Sequence, residues 1–420
     1  MKEQLTPLED AQLQVLASLP QLDSESIPLS AGNGRVSAEN VVTSEAIPPF
    51  RNSAMDGYAV IAEDLTGAPV SLDVIAGVAA GSVTGVDVRP GTAIKIMTGA
   101  PVPDGADSVV PVELTSVEGG RVTIHEAVAT GNAIRQAGSD LSSGTTVLQA
   151  GVTLTAYHLG VLASIGHSDL VVSRLPSVAI MSTGNEVMSP QTRELEPGQI
   201  RDSNRTVMRA LLEDLGVDVL DFGILADDPD IVGRTLTKAA AEADVVVTSG
   251  GVSMGEFDYV RDVMARLGAA TSWKVAMQPA KPFTFGTVDG TPVFGLPGNP
   301  VSVSVAFEQF LRPGLLSMMG ADRMFRPRVL AVAETAFTTA IAKTVFLRVC
   351  LRNDARGLVA SLAGGQGSHQ LGALADADGL AVVERGIDVV PAGSDVWVEL
   401  HRAPAQVTLV DRCQPDGPSG

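Results

Sequence analysis

The stretch that decides the fold is Pro176–Asp258. Residues 177–186 read SVAIMSTGNE and residues 244–258 read DVVVTSGGVSMGEFD, so two apolar runs each break into small polar residues and glycine. Between them, residues 201–205 (RDSNR) open an amphipathic segment. Buried strands that end in glycine present backbone N–H groups at one edge of a parallel α/β sheet, where anions bind. The stretch therefore predicts an anion or nucleotide site on an α/β domain.

A third loop of the same kind follows further along the chain. A predicted hairpin with Asp289-Gly290 at its turn precedes Pro297–Pro300, which opens a predicted helix over Val301–Leu316 with Asn299 as its expected N-cap. Because the carboxyl ends of parallel strands meet at one edge of a sheet, we expect the three loops to lie close together.

Outside this region the pattern is rich in short strands. Alternating runs between glycines extend from Tyr58 to Leu148, and five short strands are predicted between Arg326 and Leu400. We expect a multidomain α/β protein whose parts are an N-terminal linker and helical part (1–175) with an inserted β-rich module (44–140), a three-layer α/β domain with a parallel-rich sheet (176–322), a small C-terminal β-barrel or sandwich (326–403) and a tail (404–420).

Composition argues against several functional classes. The 420 residues carry a net charge of −19 without a Lys/Arg cluster, so nucleic acid is not an expected partner. The two cysteines and five scattered histidines match no disulfide framework or zinc spacing. The sequence has no signal peptide and no apolar run of the ~18 residues that span a bilayer. We expect a cytoplasmic protein that does not bind membranes.

Carboxylates stand beside the predicted anion site. Glu186, Asp202 and Asp258 would repel a bound phosphate unless a divalent cation lay between them, so Mg²⁺ is implied. The alternative is that each is a helix cap or a solvated charge. Lys274 and Lys281 bracket a proline-rich segment, whose rigidity would fix their ammonium groups in a position to bind an oxyanion. The alternative is that they are surface lysines of an edge strand.

Six motifs in a fixed order connect the β-rich module with the α/β domain. Taken singly, each of those in the module is compatible with a simple turn. The motifs are NSAMDGYA at 52–59, TGAPVPDGAD at 98–107, IRQAGSD at 134–140, STGNE at 182–186, TSGGVSMGEFD at 248–258 and GLPGNPVS at 295–302. Together they resemble the molybdopterin molybdenumtransferases, the molybdenum-insertion enzymes whose eukaryotic relatives include the gephyrin E domain. The resemblance runs from near the N-terminus to about residue 402.

The resemblance implies a reaction and an assembly. Adenylylated molybdopterin and molybdate would give molybdenum cofactor and AMP, with Mg²⁺ assisting. The subunit would have four domains and form an elongated homodimer, with the site between the α/β domain of one subunit and the β-rich module of the other. Molybdopterin adenylyltransferase and apo-molybdoenzymes are candidate protein partners.

The resemblance also assigns residues. Asp56, Asp140, Glu186 and Asp258 are the catalytic candidates, and Glu186 and Asp258 would hold Mg²⁺. The candidates for binding the pterin phosphate, AMP and the oxyanion are Thr98, Arg135, Thr183, Gly184, Asn185, Ser249, Gly250, Gly251, Ser253, Lys274, Lys281, Pro297, Gly298, Asn299 and Pro300. Many family members have lysine where this chain has Gln278, so one cationic contact is absent or is supplied by another residue.

Three other functions share this fold. Adenylylation of molybdopterin by ATP is disfavoured because the adenylyltransferase relatives resemble the α/β domain alone. Insertion of tungsten in place of molybdenum stays open. A scaffold without turnover, as in gephyrin's second role, is disfavoured because Asp56, Glu186 and Asp258 are all present.

Overall fold

The N-terminal part of the chain is organised around a six-stranded sheet. In a computed structural model of the protein, residues 5–251, 259–355 and 357–403 are described. The elements up to Ser173 are α1 (Leu8–Ala17), β1 (Ser24–Pro28), β2 (Val41–Val42), β3 (Asn52–Ser53), β4 (Gly57–Val60), β5 (Val70–Val78), β6 (Thr92–Ile96), β7 (Ser108–Pro111), β8 (Thr115–Glu118), β9 (Arg121–Ile124), β10 (Ile134–Arg135), β11 (Thr146–Leu148), α2 (Ala156–Ser164) and β12 (Asp169–Ser173).

Strand pairing shows how this part is connected. The sheet has the order β7-β4-β6-β5-β9-β8, while β1 pairs with β12 and β2 pairs with β11. Strands from before and after the sheet in sequence therefore pair with each other. Alternate residues of β4 enter two hydrophobic clusters, Ala59 in one and Tyr58 and Val60 in the other, as the two-residue period of a strand requires. The domain boundaries given above stay a prediction.

The central part alternates strands and helices. Its elements are β13 (Ser177–Thr183), β14 (Val187–Met188), β15 (Ile200–Arg201), α3 (Asn204–Glu213), β16 (Asp218–Leu225), α4 (Pro229–Glu242), β17 (Val245–Ser249), α5 (Tyr259–Leu267), β18 (Gly268–Lys274), β19 (Met277–Gln278), β20 (Pro282–Val288), β21 (Thr291–Leu296), α6 (Pro300–Ala306), a π-helical turn (Phe307–Leu311) and α7 (Arg312–Met318).

The central sheet is parallel-rich, as predicted. Its order is β16-β13-β17-β21-β20-β18. Strands β16, β13, β17 and β21 are parallel to one another, and β20 is antiparallel to both of its neighbours, β21 and β18. Ser182 pairs with Ser249, and Ser249 pairs with Leu296, so these strands end at the same edge. The apolar runs are buried because helices cover both faces of the sheet.

Two local details concern predicted elements of this domain. The residue pattern predicts a strand over Trp273–Met277, but β18 runs from Gly268 to Lys274, where its pairing with β20 ends, and Met277 belongs to β19, which pairs with the C-terminal part. Asn299 occupies the N-cap position of α6, as predicted, although its side chain makes no capping hydrogen bond.

The C-terminal part is a closed barrel. Its elements are β22 (Arg328–Ala333), β23 (Phe337–Thr338), β24 (Thr344–Asp354), β25 (Gly357–Leu362), α8 (Leu371–Asp376), β26 (Gly379–Val383), β27 (Val389–Val390) and β28 (Asp395–Leu400). The pairings β22–β25–β24–β26–β28–β22 close the ring, which decides between the barrel and the sandwich. None of the helices in the described ranges has both the length and the apolar character needed to cross a membrane.

An ion pair holds the start of the central sheet. Both guanidinium ends of Arg174 donate to Asp244, at 2.7 and 2.6 Å, and the backbone N–H and hydroxyl of Ser177 donate to the same carboxylate at 2.8 and 2.9 Å. The Arg174 hydrogen bond, with those of Ser177, lowers the pKa of Asp244 to about 2 against the opposing effect of burial.

We expect Asp244→Asn to lower the free energy of unfolding by about 1–2 kcal/mol at pH 7, because solvent screens part of this interaction. The folded-state pKa lies below the unfolded value of 3.8, so the stabilisation is complete above that value and is lost as the pH falls toward 2. Urea titrations of the wild type and the variant at pH 7 and pH 3 measure the difference between their free energies of unfolding. This difference should fall by about half at pH 3. An equal difference at both pH values would contradict this account.

Candidate active site

Three strand-end loops of the central sheet converge on one pocket of about 570 Å³. The loops follow β13, β17 and β21, and the pocket is completed by the segment from β15 into α3 and by Asp227, which follows β16. Eleven of the residues predicted from the sequence line it: Thr183, Gly184, Asn185, Glu186, Ser249, Gly250, Gly251, Pro297, Gly298, Asn299 and Pro300.

Two of these positions require glycine. Gly250 has φ +91°, and a Cβ there would lie 2.8 Å from the carbonyl oxygen of Thr183 and 2.9 Å from its hydroxyl oxygen. Gly184 has φ +143°, and a Cβ there would lie 2.8 Å from both carboxylate oxygens of Glu186. The wall of the pocket is therefore backbone at these points, which lets a ligand approach closely. The N–H groups of Gly184 and Gly250 themselves donate to the carbonyls of Leu225 and Leu296, at 3.2 and 3.0 Å.

Asp227 is a pocket residue that the sequence analysis missed. It locks the loop after β13, because the N–H of Asn185 donates to its Oδ2 at 3.0 Å and its own N–H donates to Oδ1 of Asn185 at 3.1 Å. A signal was present: Asp227 follows the end of β16 by two residues, at the same edge as the three predicted loops. Asn204, in the RDSNR segment, also lines the pocket and was not singled out.

The carboxylates of the pocket have different surroundings. Asp202 is buried; its Oδ1 accepts the N–H of Arg205 at 3.1 Å, and its Oδ2 lies 3.4 Å from the Arg205 guanidinium. Asp202 therefore stabilises the start of α3, while Glu186 is exposed. Asp258 and Ser253 lie outside the described residues. Within the described ranges, no group of three or more His, Cys, Asp or Glu side chains is arranged to hold a metal ion.

The motifs of the β-rich module assemble at a second place. Strand β3 pairs with β10, bringing Asn52 opposite Arg135, and Asp56 accepts hydrogen bonds at 2.7 Å from both the N–H and the hydroxyl of Thr98. The backbone N–H of Thr98, and then its hydroxyl, lower the pKa of Asp56. Asp140 donates its N–H to Ile47 at 2.9 Å. Among the described residues, the lining of the 570 Å³ pocket comes from the central part alone.

The two predicted lysines lie beside the pocket rather than in its wall. Lys274 ends β18 opposite Pro282, which does line the pocket, and the carbonyl of Lys281 accepts the N–H of Val275 at 2.8 Å. The ammonium of Lys343 donates to Oε1 of Gln278 at 3.5 Å. A cation from the C-terminal part therefore lies next to Gln278.

A third residue missed by the sequence analysis is Arg348, at 0% exposure within β24. Its guanidinium donates to the carbonyls of Gly365 and Gly367 at 2.7 and 3.2 Å, and burial lowers its pKa. Arg348 thereby holds the loop over residues 364–370. This loop contacts the central domain at the start of α6, where the N–H of Val301 donates to the Ser368 carbonyl at 3.1 Å. The signal was a charged residue inside the alternating apolar run 345–351.

Family models cover most of the chain. The MoeA N-terminal region (domain I and II) matches residues 6–166, a probable molybdopterin binding domain matches residues 179–317, and the MoeA C-terminal region (domain IV) matches residues 331–401.

Full-length relatives agree with these models. Molybdopterin molybdenumtransferase 2 of Mycobacterium tuberculosis is 40% identical over 382 residues, covering 89% of this chain and 94% of the relative. The Haemophilus influenzae molybdopterin molybdenumtransferase is 35% identical over 396 residues, covering 93% and 98%. A crystal structure of the moeA protein of Pyrococcus horikoshii is 30% identical, has a TM-score of 0.84 and covers 95% of this chain and all of that one. The chain belongs to the MoeA family of molybdopterin molybdenumtransferases, enzymes of molybdenum cofactor biosynthesis.

Proposed function

We propose that this enzyme transfers molybdenum from molybdate into adenylylated molybdopterin, with release of AMP and with Mg²⁺ as cofactor. The observation that carries the proposal is the convergence of three glycine-containing loops on a pocket of about 570 Å³. That volume suits a ligand of nucleotide size. Backbone N–H groups of such loops bind phosphate oxygens without a basic side chain, which matters in a chain of net charge −19.

Neutralisation of the phosphate charge has to come from elsewhere in the pocket. Arg201 lines it, but its guanidinium donates to the carbonyls of Thr192 at 2.6 and 3.1 Å and of Arg193 at 2.9 Å. Glu186 and Asp227 present carboxylates to the same space. Mg²⁺ binds through one or two carboxylates together with substrate phosphates and water, so this donor set fits the ion.

We assign Glu186, Asp227 and the sequence-predicted Asp258 as the residues that would hold Mg²⁺. When bound, the ion neutralises charge on the phosphoanhydride oxygens. The chain itself supplies orientation: the N–H groups of Gly251 and Gly298 would hold the phosphates in place. Breaking the phosphoanhydride by an oxygen nucleophile needs this positioning and electrostatic support more than covalent participation by the protein.

The second cluster, Asp56 with Thr98 and Arg135, supports a composite site. The hydrogen bonds from Thr98 lower the pKa of Asp56 and so favour its ionised form. We propose a homodimer in which the β-rich module of one subunit completes the pocket of the other, with Asp56 and Asp140 acting on the substrate there. Ser253, Lys274 and Lys281 would contact the phosphates or the oxyanion. The finished cofactor would pass to apo-molybdoenzymes, and molybdopterin adenylyltransferase would supply the substrate.

Purified protein given adenylylated molybdopterin, molybdate and Mg²⁺ should release AMP and form a cofactor that activates an apo-molybdoenzyme. Omitting molybdate or adding EDTA should stop both. Parallel reactions with tungstate, and with molybdopterin plus ATP, identify the tungsten-inserting and adenylyltransferase activities. Binding of adenylylated molybdopterin without AMP release would contradict the proposal and favour a scaffold.

A further inference from the structure

The side chain of Asn204 connects two of the pocket loops. Its Nδ2 donates to the hydroxyl oxygen of Ser249 at 2.8 Å and to the carbonyl oxygen of Gly298 at 2.6 Å. The Ser249 hydroxyl in turn donates to the carbonyl of Pro297 at 3.4 Å. One carboxamide group thus joins the start of α3, the loop after β17 and the loop after β21.

Asn204 is itself held firmly against the sheet. It is the first residue of α3, and the next residue, Arg205, pairs with Asp202 on one side and with Asp221 of β16 on the other, at 3.4 and 3.1 Å. Asp221 also accepts the N–H of Gly223 at 2.9 Å, beside an irregularity in the pairing of β16 with β13. The backbone of α3 next to Asn204 is therefore anchored to the sheet through Arg205.

Besides the hydrogen bond of the Ser249 hydroxyl to Pro297, the two loops meet through backbone. A Cβ at Gly298 would lie 3.9 Å from the Cα of Gly250, and the N–H of Gly250 donates to the carbonyl of Leu296 at 3.0 Å. Glycines at this contact leave no side chain to interlock. Gly250 and Gly251 have φ of +91° and +69°, so the direction of the Gly251 N–H depends on how the loop is held.

We propose that Asn204 is a positioning residue, which sets the separation of the Ser249–Gly251 and Pro297–Pro300 loops and thereby the affinity for the phosphate of the nucleotide part of the substrate. The inference rests on the proposed function, because it assumes that these loops bind that phosphate. Only the NH₂ of a carboxamide can donate to both loops. An aspartate of the same shape would face the Gly298 carbonyl with an acceptor and add negative charge beside an anion site.

AMP is the binding probe, and Asn204→Asp and Asn204→Ala are the variants. We expect the Kd for AMP, measured by calorimetry with Mg²⁺, to rise about tenfold in Asn204→Ala and further in Asn204→Asp, as expected for the loss of two hydrogen bonds and, in the second case, an added charge. The KM for molybdate at saturating adenylylated molybdopterin should stay unchanged, whereas general damage to the fold would alter it too. Gln21→Glu is the matched control: Gln21 donates its amide N–H to the Ser317 carbonyl at 2.9 Å and is absent from the pocket, so its exchange should leave both constants unchanged.

A double-mutant cycle with Ser249→Ala tests whether Asn204 acts through the loop. The Kd for AMP of the double variant should rise by less than the product of the two single-variant fold-increases, because both changes remove the same hydrogen bond. If Asn204 variants do not fold, Ser249→Ala alone should still raise the Kd for AMP roughly threefold to tenfold. Folded Asn204 variants with wild-type AMP affinity would overturn this inference alone. A wild-type protein that neither binds AMP nor releases it would overturn the proposed function, and this inference with it.

Discussion

Two inactive variants, Asp56→Asn and Glu186→Gln, should regain about a quarter of wild-type activity when their subunits are mixed in one preparation. Each change alone is expected to reduce AMP release by at least about a hundredfold, because it removes a charge placed at the reacting phosphate. In a composite site, a mixed dimer has one pocket that carries both changes and one that carries neither. Half of the dimers are mixed in a random population, and half of their sites are intact.

Co-expression with two different affinity tags, followed by sequential purification, isolates the mixed dimer for the AMP-release measurement. The purified mixed dimer should show about half of wild-type activity, because one of its two sites is intact. The control is a mixed dimer of two Asp56→Asn subunits with different tags, which should stay inactive. A verified mixed dimer without recovered activity would show that Asp56 and Glu186 do not act in sites shared between subunits. A monomeric wild-type enzyme with full activity would contradict the dimer directly.

The second large effect is expected at Gly250. In Gly250→Ala the new Cβ would lie 2.8 Å from the Thr183 carbonyl oxygen, and the backbone would have to keep φ +91° or move. The loop should therefore shift, and we expect the KM for adenylylated molybdopterin to rise roughly tenfold to a hundredfold. The free energy of unfolding should fall by about 1–3 kcal/mol, because an L-residue at positive φ is strained.

Gly290→Ala is the matched control for this experiment. Gly290 has φ +87° at the β20–β21 turn, and a Cβ there would meet nothing within 4 Å. The control should lose some stability for the same backbone reason while its KM stays at the wild-type value. Equal KM values in Gly250→Ala and wild type would mean that the loop after β17 does not contact the substrate.

The prediction of the pocket followed from a local rule. Short apolar runs that break into Thr183–Glu186, Ser249–Gly251 and Pro297–Pro300 are visible in the sequence, and parallel strands bring their ends to one edge. All three loops line the pocket. The same rule, applied to the end of β16, would have found Asp227.

The role of individual polar residues was not visible in the same way. The sequence left open whether Asp202 is a ligand or a helix cap, and the structure shows it stabilising the start of α3 through Arg205. Asn204 sits two positions further on and reaches Ser249 and Gly298, 45 and 94 residues away. Spacing along the chain does not report such contacts, because packing of the whole domain sets them.

The sequence by itself determined the α/β class, the strand-end loops and the family, because periodicity, glycine and motif order are properties of neighbouring residues. Only the tertiary structure decided that the C-terminal strands close into a barrel, that Arg348 holds the 364–370 loop, and that the Asp56 cluster lies apart from the 570 Å³ pocket. These features depend on pairings between residues far apart in the chain, whose free energy comes from the packed domain and not from any local pattern.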